Sequence, residues 1–430
     1  MSIPLCFENG AEPTLYIPLE LPGVEITSVK MDTDGYHITV RSVVKRTQCQ
    51  SCGREVARSH GYSQPITVRH LSVLGHPTRI TIYPKRFLCP HCSTPEHKVT
   101  TTQVLIWQAS RSPLTRAYEE HVLLLLVNST IEDVSQKEHL PYDTVLGVLE
   151  RRISSKVAWD EFDALEVIGI DEIARRKGHR DFLAIITART ADGKIHLLTV
   201  LPDRQKKTVQ AFLDSIPSRL RRTVRTVCTD MWDGYVNAVH ESFDSDPECA
   251  VEVVIDRFHV AKQYHKAADN LRKKEMKRLK RQLSETEYQE LKGVMWLFRR
   301  RWKNLEPEEQ TRLNLLFELV PDLKRAYQFR EQLTDIFDAL LSPEEATRKF
   351  EAWCKAVRDS GLNCFNKFLA TLRNWWDEIL NYFKQRHTSA FVEGFNNKVK
   401  VLKRRCYGIL NVTHIFQRLY LDLEGYRLFA

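Results

Sequence analysis

The pattern of residues 166–255 constrains the fold of this chain more than any other segment, because short apolar runs alternate there with helical periodicity. Three closely spaced β-rich segments come first, as in an antiparallel meander: Glu166–Ile170, Phe182–Ala188 and Lys194–Leu201. Further predicted elements follow: helix Thr208–Leu220, strand Val224–Cys228, helix Asp233–His240 and strand Ala250–Ile255. This order predicts an α/β domain built on one sheet.

Residues 260–383 have a different character, with almost no strand pattern and an abundance of Leu, Lys, Glu and Trp. Three prolines interrupt the segment, at positions 307, 321 and 343, and five of the eight tryptophans lie in it. We predict a helical block set inside or after the α/β domain. Its tryptophans are expected to pack in its core, with stacking on distorted DNA bases as the alternative.

Four of the ten cysteines form two Cys-x-x-Cys pairs, Cys49/Cys52 and Cys89/Cys92, separated by 36 residues. Two thiolate pairs at such a spacing are typical of a tetrahedral structural Zn²⁺ site, in which the metal replaces the core that a short segment lacks. The alternatives are a coincidence or a redox pair, and no thioredoxin-like βαβ pattern surrounds either pair. The other six cysteines are expected to be inert thiols.

Residues 113–158 carry three helix patterns, Leu114–Val127, Thr130–His139 and Asp143–Val157, with Ser129 or Thr130 as the expected N-cap of the second. A short helix, a turn with proline and a longer helix ending in Arg151 and Arg152 fit a helix-turn-helix that binds DNA. An ordinary three-helix packing unit is the alternative.

Three aspartates follow predicted strands: Asp171, Asp230 and Asp256. Carboxylates at the ends of neighbouring strands can converge on a pair of Mg²⁺ ions, which prefer oxygen ligands and can activate water or a hydroxyl against a phosphodiester. For any single aspartate, capping of the following turn or helix is the simpler interpretation.

The helix pattern Thr388–Arg405 contains Glu393, which is the only acidic residue between Lys384 and Arg418, against eight Lys or Arg. A lone carboxylate in such a basic stretch is interpreted as a metal ligand flanked by phosphate-binding cations, with Asn396 and Asn397 as contacts to DNA backbone or bases. A solvated helix with one incidental Glu is the alternative. A second basic run, Lys262–Arg281, is interpreted as a phosphate-tracking surface, with a solvated helix face as the alternative.

The 430 residues carry a formal charge of +9, which is compatible with a nucleic-acid partner. No apolar run approaches the roughly 18 residues that a membrane span needs. The first residues also lack a signal-peptide pattern. We expect an intracellular protein without a membrane partner.

Five features together resemble the bacterial insertion-sequence transposases of the ISL-three family. They are the four-cysteine finger and the motifs Val-Ile-Gly-Ile-Asp171-Glu-Ile-Ala-Arg-Arg-Lys-Gly, Cys-Thr-Asp230-Met-Trp-Asp-Gly-Tyr, Val-Ile-Asp256-Arg-Phe-His259-Val and Val-Glu393-Gly-Phe-Asn-Asn-Lys-Val-Lys. The resemblance spans roughly residues 45–420, in the expected order. It implies an RNase H-like catalytic fold with a DDE triad at Asp171, Asp230 and Glu393, interrupted by an all-helical insertion, and a site shaped by Asp256 and His259.

Such a transposase is expected to bind terminal inverted repeats and to catalyse metal-dependent cleavage and strand transfer with two Mg²⁺ or Mn²⁺ ions. Its partners would be double-stranded DNA at the element ends and the target, and a second copy of the chain on paired ends, in the nucleoid region of the bacterial cytoplasm. The expected DNA contacts are Arg151, Arg152, Arg175, Arg176, Lys177, Asn396, Asn397, Lys398, Lys400, Lys403, Arg404 and Arg405.

Two other functions fit the same motifs. One is a non-catalytic DNA-binding regulator derived from a transposase, using its zinc finger and helix-turn-helix. The other is an RNase H-like nuclease that cuts without joining strands.

The expected domain order is a short N-terminal segment, two DNA-reading modules and a catalytic domain split by the helical insertion. The boundaries are 1–42 for the N-terminal segment, 43–112 for the zinc finger, 113–158 for the helix-turn-helix, 159–259 and 384–430 for the two catalytic parts, and 260–383 for the insertion.

Overall fold

The structure is a computed structural model that describes residues 2–4, 14–16, 19, 21–174, 181–244, 246–386 and 390–430. The chain divides into two compact units, one formed by residues 1–154 with 420–430 and the other by residues 155–419. Within the described ranges, no helix has both the length and the apolar character needed to cross a membrane.

The first unit begins with eleven short strands among its described residues. They are β1 (Ser2–Pro4), β2 (Thr14–Tyr16), β3 (Val24–Asp32), β4 (Gly35–Ser42), β5 (Thr47–Gln48), β6 (Glu55–Val56), β7 (Ser59–Tyr62), β8 (Ile66–Val73), β9 (His76–Tyr83), β10 (Lys85–Leu88) and β11 (Thr100–Thr102). Strands β3, β4, β9 and β8 form a four-stranded sheet in that order, in which β4 and β9 are parallel. The alternating residues of β4 and β9 that face inward, such as Ile38, Val40, Ile80 and Ile82, form its core.

Three helices follow in the first unit: α1 (Arg116–Leu126), α2 (Ile131–Glu138) and α3 (Tyr142–Arg152). The side chain of Thr130 caps α2 by accepting a hydrogen bond from the backbone N–H of Asp133, which confirms one of the two expected caps. The three helices share one apolar core, and Leu421 near the end of the chain also belongs to it. Residues 420–430 therefore pack with the first unit, although the sequence placed them with the second catalytic part.

The second unit contains a five-stranded sheet with helices between its later strands. Its elements are β12 (Val167–Ala174), β13 (Phe182–Arg189), β14 (Ile195–Leu201), α4 (Lys206–Asp214), α5 (Ser218–Arg221), β15 (Thr226–Thr229), α6 (Asp233–Phe243) and β16 (Glu252–Ile255). The strand order is β14-β13-β12-β15-β16. Strands β12 to β14 form the predicted antiparallel meander, whereas β15 and β16 run parallel to β12. The helix predicted over Thr208–Leu220 is wrong in length, because Pro217 divides it into α4 and α5.

Successive residues of these strands face two different cores, as the pleat of a strand requires. Ile168, Val227 and Val253 pack on one face, with α4 and α6. Cys228 and Val254, one position further along their strands, pack on the other face.

That second face packs against the helical block, which follows β16. The helices are α7 (Arg257–Gln282), α8 (Glu285–Glu290), α9 (Val294–Leu297), α10 (Pro307–Leu319), α11 (Pro321–Asp338), α12 (Pro343–Asp359), α13 (Asn366–Asn374), α14 (Trp376–Leu380) and α15 (Tyr382–Gln385). The three prolines noted in the sequence are the first residues of α10, α11 and α12, where a missing N–H costs nothing.

The tryptophans of the block mostly pack as predicted. Trp353 lies in its core, and Trp302, Trp375 and Trp376 pack against that core. Trp296 differs, since it is 62% exposed. Two final helices follow: α16 (Ala390–Arg405) and α17 (Val412–Phe429).

Candidate active site

The four cysteines singled out by their spacing come together in the first unit. Cys49 and Cys52 lie in the turn between β5 and β6, and Cys89 directly follows β10. Both turns are closed by backbone hydrogen bonds, from Gly53 N to the Cys49 oxygen and from Ser93 N to the Cys89 oxygen. All four sulfurs lie within 4.8 Å of one another, and those of Cys52 and Cys89 are 3.7 Å apart.

The donor set suits a zinc ion. Sulfurs that share a tetrahedral zinc at about 2.3 Å are separated by about 3.8 Å, which is close to the observed Cys52–Cys89 distance. Backbone N–H groups of Cys52 and Ser51, together with the Thr101 hydroxyl, lower the pKa of Cys49 to about 6, which favours the thiolate form that binds zinc. Hydrogen bonds to Cys52 and Cys89, together with burial, raise the pKa of Cys92, as expected where four thiols lie close together.

The carboxylate site is built by strand register in the second unit. Strands β12 and β15 pair in parallel, with Val167 opposite Thr226 and Gly169 opposite Cys228. Continued two positions past Gly169 and Cys228, this register brings Asp171 opposite Asp230. The pairing of β15 with β16, continued one position past its last pair, brings Asp256 next in the row. Alternation along each strand puts the three aspartates on the sheet face that Cys228 and Val254 share with the helical block.

Asp171 differs from expectation in one respect, because it does not end its strand. Strand β12 continues to Ala174, with Ile173 buried, so the carboxylate projects from within the sheet. Burial and the neighbouring charge of Asp230 raise the pKa of Asp171 to about 7. Two carboxylates thus lie close together where both are partly shielded from water, and a cation bound between them would relieve their repulsion.

His259 lies in the first turn of α7 and contacts Asp230. Its Nε2 is 2.6 Å from the Asp230 Oδ1, and both side chains are mostly buried. Burial opposes protonation of His259, but the hydrogen bond and the charge of Asp230 prevail and raise its pKa. Asp256 has the capping role that was the simpler interpretation of a strand-end aspartate, because its Oδ1 accepts the backbone N–H of Phe258 at 2.8 Å.

Helix α16 contacts β12 through Asn396. The Asn396 side chain is 6% exposed, and its Nδ2 donates to the Asp171 Oδ2. Its Oδ1 has no hydrogen-bond partner among the described residues. Glu393 precedes Asn396 by three positions in this helix; its backbone is described, but its side chain lies outside what the structure describes. The contact of Asn396 with Asp171 has no local sequence signal, since 225 positions separate the two residues.

A cluster around Arg204, next to the carboxylates, was not predicted from the sequence. The Arg204 guanidinium lies over the rings of Phe182 and Trp232, at 4.4 and 4.3 Å from their centroids, and pairs with Glu172 at 2.6 Å. Glu172 follows Asp171 in sequence, so the cation–π contacts of Arg204 stabilise the segment of β12 that carries the carboxylate. No spacing rule links the four residues, which come from different elements.

The predicted DNA-contacting residues have different surroundings. Arg151 bonds to Glu119 and Ser112, and Arg152 to Glu119 and Glu120, so both join a network around the fully buried Glu119 in the three-helix core. Arg175, Arg176 and Lys177 lie outside the described residues.

The predicted contacts of α16 differ among themselves. Asn397, Lys398, Lys400 and Arg404 are exposed, whereas Lys403 donates to the Ala174 oxygen at 2.7 Å. Arg405 is half-buried.

Comparisons with known proteins agree with the motifs. A family described as Transposase matches residues 168–419, and a second, described as zinc-finger of transposase IS204/IS1001/IS1096/IS1165, matches residues 45–92. The transposase for insertion sequence element IS1001 of Bordetella parapertussis is 24% identical over 90% of this chain and 91% of its own length. The transposase for insertion sequence element IS1557 of Mycobacterium tuberculosis is 22% identical over 92% and 90%, respectively.

Among solved structures, the Drosophila P element transposase strand transfer complex aligns with 71% of this chain and 91% of its own chain, at 13% identity and a TM-score of 0.40. The family assignment depends instead on the sequence match, which covers more than half of the chain and includes Asp171, Asp230 and Glu393. The chain therefore belongs to the ISL-three family of insertion-sequence transposases, as its motifs predicted.

Proposed function

We propose that this transposase cleaves and joins DNA strands with a DDE triad formed by Asp171, Asp230 and Glu393. The observation that carries the proposal is the parallel register of β12 and β15, which sets two carboxylates side by side on one face of the sheet. Helix α16 packs on the same strand through Asn396, and Glu393 lies one turn earlier on that helix. Because residues three apart share a helix face, the packing of Asn396 on β12 supports Glu393 as the third ligand.

The residues at this site fit divalent metal ions. Carboxylates are the ligands that Mg²⁺ and Mn²⁺ prefer, and the Asn396 Oδ1 is a buried acceptor without a partner in the described part of the chain. Two such ions, when bound, would supply Lewis acidity at the attacking and leaving oxygens of a phosphodiester.

The surrounding side chains set the geometry of the carboxylates. His259 fixes the rotamer of Asp230, Asn396 fixes that of Asp171, and the Arg204 cluster supports the adjoining Glu172. A carboxylate pair held in this way is preorganised, so little reorganisation is needed when a strand enters.

We further propose that the α/β domain is RNase H-like and that α7–α15 form an insertion in it. An antiparallel meander followed by two strands parallel to its first strand supports the first part, and the unbroken run of nine described helices between β16 and α16 supports the second. The domain boundaries given in the sequence analysis stand as proposals, with 420–430 reassigned to the first unit.

DNA recognition is proposed for the four-cysteine ribbon with structural Zn²⁺ and for helices α1–α3 as a helix-turn-helix. The three-residue connection between α2 and α3 supports the latter. Exposed Lys398, Lys400 and Arg404 on α16 are proposed to bind phosphates beside the active site, as is the basic face of α7. Arg151 and Arg152 are proposed to orient α3 through Glu119 as well as to approach DNA.

The DNA partner is proposed to be the terminal inverted repeats of the element and its target, bound by two copies of the chain so that both ends can be synapsed. Action in the bacterial cytoplasm, at the nucleoid, follows from that partner.

The experiment that tests this function uses a labelled duplex carrying the terminal inverted repeat that flanks the gene. The wild-type chain should cut at the element end in Mg²⁺ or Mn²⁺, stop in EDTA, and join the freed end to a target duplex. Glu393→Gln should bind the duplex normally but fail to cut it, whereas Glu241→Gln, which alters an exposed surface pair with Lys206, should behave as wild type.

The products also separate the alternatives. Binding without metal-dependent cutting by the wild type would indicate a DNA-binding regulator, and cutting without joined products would indicate a nuclease. Cleavage by Glu393→Gln at the wild-type rate would show that the triad assignment is wrong.

A further inference from the structure

Helix α16 is followed by Tyr407, whose side chain is almost completely exposed to solvent. Its exposed fraction is 96%, the highest among the large hydrophobic side chains of the described ranges. The ring therefore contributes almost nothing to the packing of the second unit. None of the roles assigned above uses this residue.

The backbone at Tyr407 is left-handed, which is unfavourable for a residue with a side chain. Helix α16 ends in a Schellman motif, closed by hydrogen bonds from Tyr407 N to the Arg404 oxygen at 3.2 Å and from Gly408 N to the Lys403 oxygen at 2.8 Å. The first residue past the cap of such a motif is usually glycine, but here it is Tyr407, with a φ of 47°. A tyrosine at this position costs folding free energy without gaining burial, which indicates a role outside folding.

The side of α16 that leads to Tyr407 is basic. Spacings of three and four residues place Asn397, Lys400 and Arg404 in one exposed row along the helix. The Glu393 position begins this row, and Tyr407 follows it three residues after Arg404. The Lys400 Nζ donates to the Asn397 Oδ1 at 3.4 Å, and the Arg404 Nε donates to the Lys400 oxygen at 3.3 Å. Neither cation pairs with a carboxylate among the side chains that the structure describes, so both can bind an anion from solution.

The length of this row sets a distance along a bound strand. The helix rises about 1.5 Å per residue, so the Glu393 position and Tyr407 are separated by about 21 Å. A DNA strand advances by about 3.4 Å per nucleotide. A strand that follows the row from the carboxylates therefore reaches Tyr407 about six nucleotides from the scissile phosphodiester.

Cations that lead to an exposed aromatic ring indicate a partner with both phosphates and flat apolar faces. An acidic protein surface would satisfy Lys400 and Arg404, but it offers no stacking partner for the ring of Tyr407. In duplex DNA, the phosphates lie beside base steps into which apolar side chains can insert from the minor groove, which kinks the duplex. The row and the ring together therefore favour DNA.

We propose that Tyr407 inserts between two base pairs of the element end, about six nucleotides from the scissile phosphodiester. Lys400 and Arg404 bind phosphates between this point and the carboxylates. The inserted ring fixes the distance between the kink and the cleavage point, which holds the scissile phosphodiester in register with the carboxylates. The inference rests on the proposed strand-cleaving function and adds a positioning residue to it.

The test uses full-length protein and inverted-repeat duplexes with 2-aminopurine at successive positions on both sides of the cleavage site, in Ca²⁺ to prevent cutting. The wild type should raise the fluorescence severalfold at a position about five to seven nucleotides from the cut, because the probe loses a stacking neighbour there. Tyr407→Gly should abolish this change and slow cleavage in Mg²⁺ by about tenfold, whereas Tyr407→Phe, which keeps the ring, should retain both. Tyr426→Ala, at another exposed tyrosine, on α17, should behave as wild type.

Thermal unfolding separates this role from a structural one. Because glycine adopts a positive φ without strain, Tyr407→Gly should unfold at no lower temperature than the wild type while it loses the fluorescence change. A lower unfolding temperature would show that the tyrosine supports the fold, and it would overturn the proposal.

The remaining outcomes distinguish the inserted ring from the proposed function. A wild type that cuts the duplex without a fluorescence change at this distance, or a change that persists in Tyr407→Gly, would overturn the insertion and leave the transposase function intact. Loss of self-association in Tyr407→Gly, measured by sedimentation, with the fluorescence change retained, would assign the ring to a contact between copies of the chain and would also overturn it. A wild type that never cuts the duplex would instead contradict the proposed function.

Discussion

The cysteine cluster and the carboxylate site both gather potential metal ligands, but they are assembled in different ways. The cysteines come in two local pairs on tight turns, and each pair is positioned by backbone hydrogen bonds within five residues. The carboxylates come from separate strands that meet through parallel register, and their side chains are held by His259 and Asn396 from distant helices. The first arrangement suits a metal that stabilises the fold, and the second suits metals that act on a substrate.

Loss of one cysteine ligand should produce the largest effect, because the small core around Cys49, Val56, Phe87 and Cys89 has little else to stabilise it. Cys49→Ser should remove the one zinc per chain and unfold the ribbon. Elemental analysis and limited proteolysis measure both effects. Cys364→Ser, in the helical block, is the control and should keep the zinc. Wild-type protein without stoichiometric zinc would show that the four cysteines are not a zinc site.

Loss of a carboxylate should affect catalysis and leave folding nearly untouched. Asp171→Asn should slow strand cleavage by about a thousandfold, since a metal ligand supplies several kcal/mol of transition-state stabilisation. Its unfolding temperature should not fall, because the change removes one of two carboxylates that repel each other. Calorimetry and single-turnover cleavage measure the two effects, with the exposed Asp160→Asn as control. A large loss of stability in Asp171→Asn would show that Asp171 has a structural role, as the cysteines do.

The residues that hold the ligands should matter less than the ligands. His259→Gln should raise the Mn²⁺ concentration needed for half-maximal cleavage by about tenfold to a hundredfold, as expected when a side chain that orients a metal ligand is lost. The matched control is His240→Gln, which alters a similar pair with Asp244 on the protein surface. The Mn²⁺ requirement is measured by titrating the cleavage rate against Mn²⁺. An unchanged requirement in His259→Gln would show that His259 does not orient Asp230 for metal binding.

The corresponding support in the cysteine site is Thr101, whose hydroxyl donates to the Cys49 sulfur at 3.7 Å. Thr101→Val should raise the pKa of Cys49 and weaken zinc binding by about tenfold, which is the smallest effect predicted here. Competition with a chelator of known affinity measures it, and the exposed Thr67→Val serves as the control. Equal affinity in the two variants would leave the backbone N–H groups as the sole support of the thiolate.

The same contrast explains what could be predicted from the sequence. The cysteine spacing and the Thr130 cap are local, and the structure reproduces both. Asp230 directly follows β15, as predicted, whereas the prediction that Asp171 ends its strand is wrong, because the buried Ile173 continues β12 to Ala174.

Contacts that depend on tertiary packing could not be predicted in this way. The contact of Asn396 with Asp171 is one example, because only the docking of α16 on β12 brings the two residues together; a DNA contact of Asn396 stays a prediction. The buried Glu119 is equally unpredictable, since its burial depends on two arginines more than thirty residues away in sequence.

We propose that Asp171, Asp230 and Glu393 hold the metal ions used to cut and join DNA, and exchange of a ligand atom tests this role most directly. Asp230→Cys places a soft sulfur where a hard oxygen ligand is proposed, and thiolates are poor ligands for Mg²⁺ but acceptable ones for Mn²⁺. The cleavage rate of the inverted-repeat duplex should therefore be lost in Mg²⁺ and substantially restored in Mn²⁺. Cleavage at the wild-type rate in Mg²⁺, or no recovery in Mn²⁺ by a variant that folds and binds DNA normally, would contradict the claim.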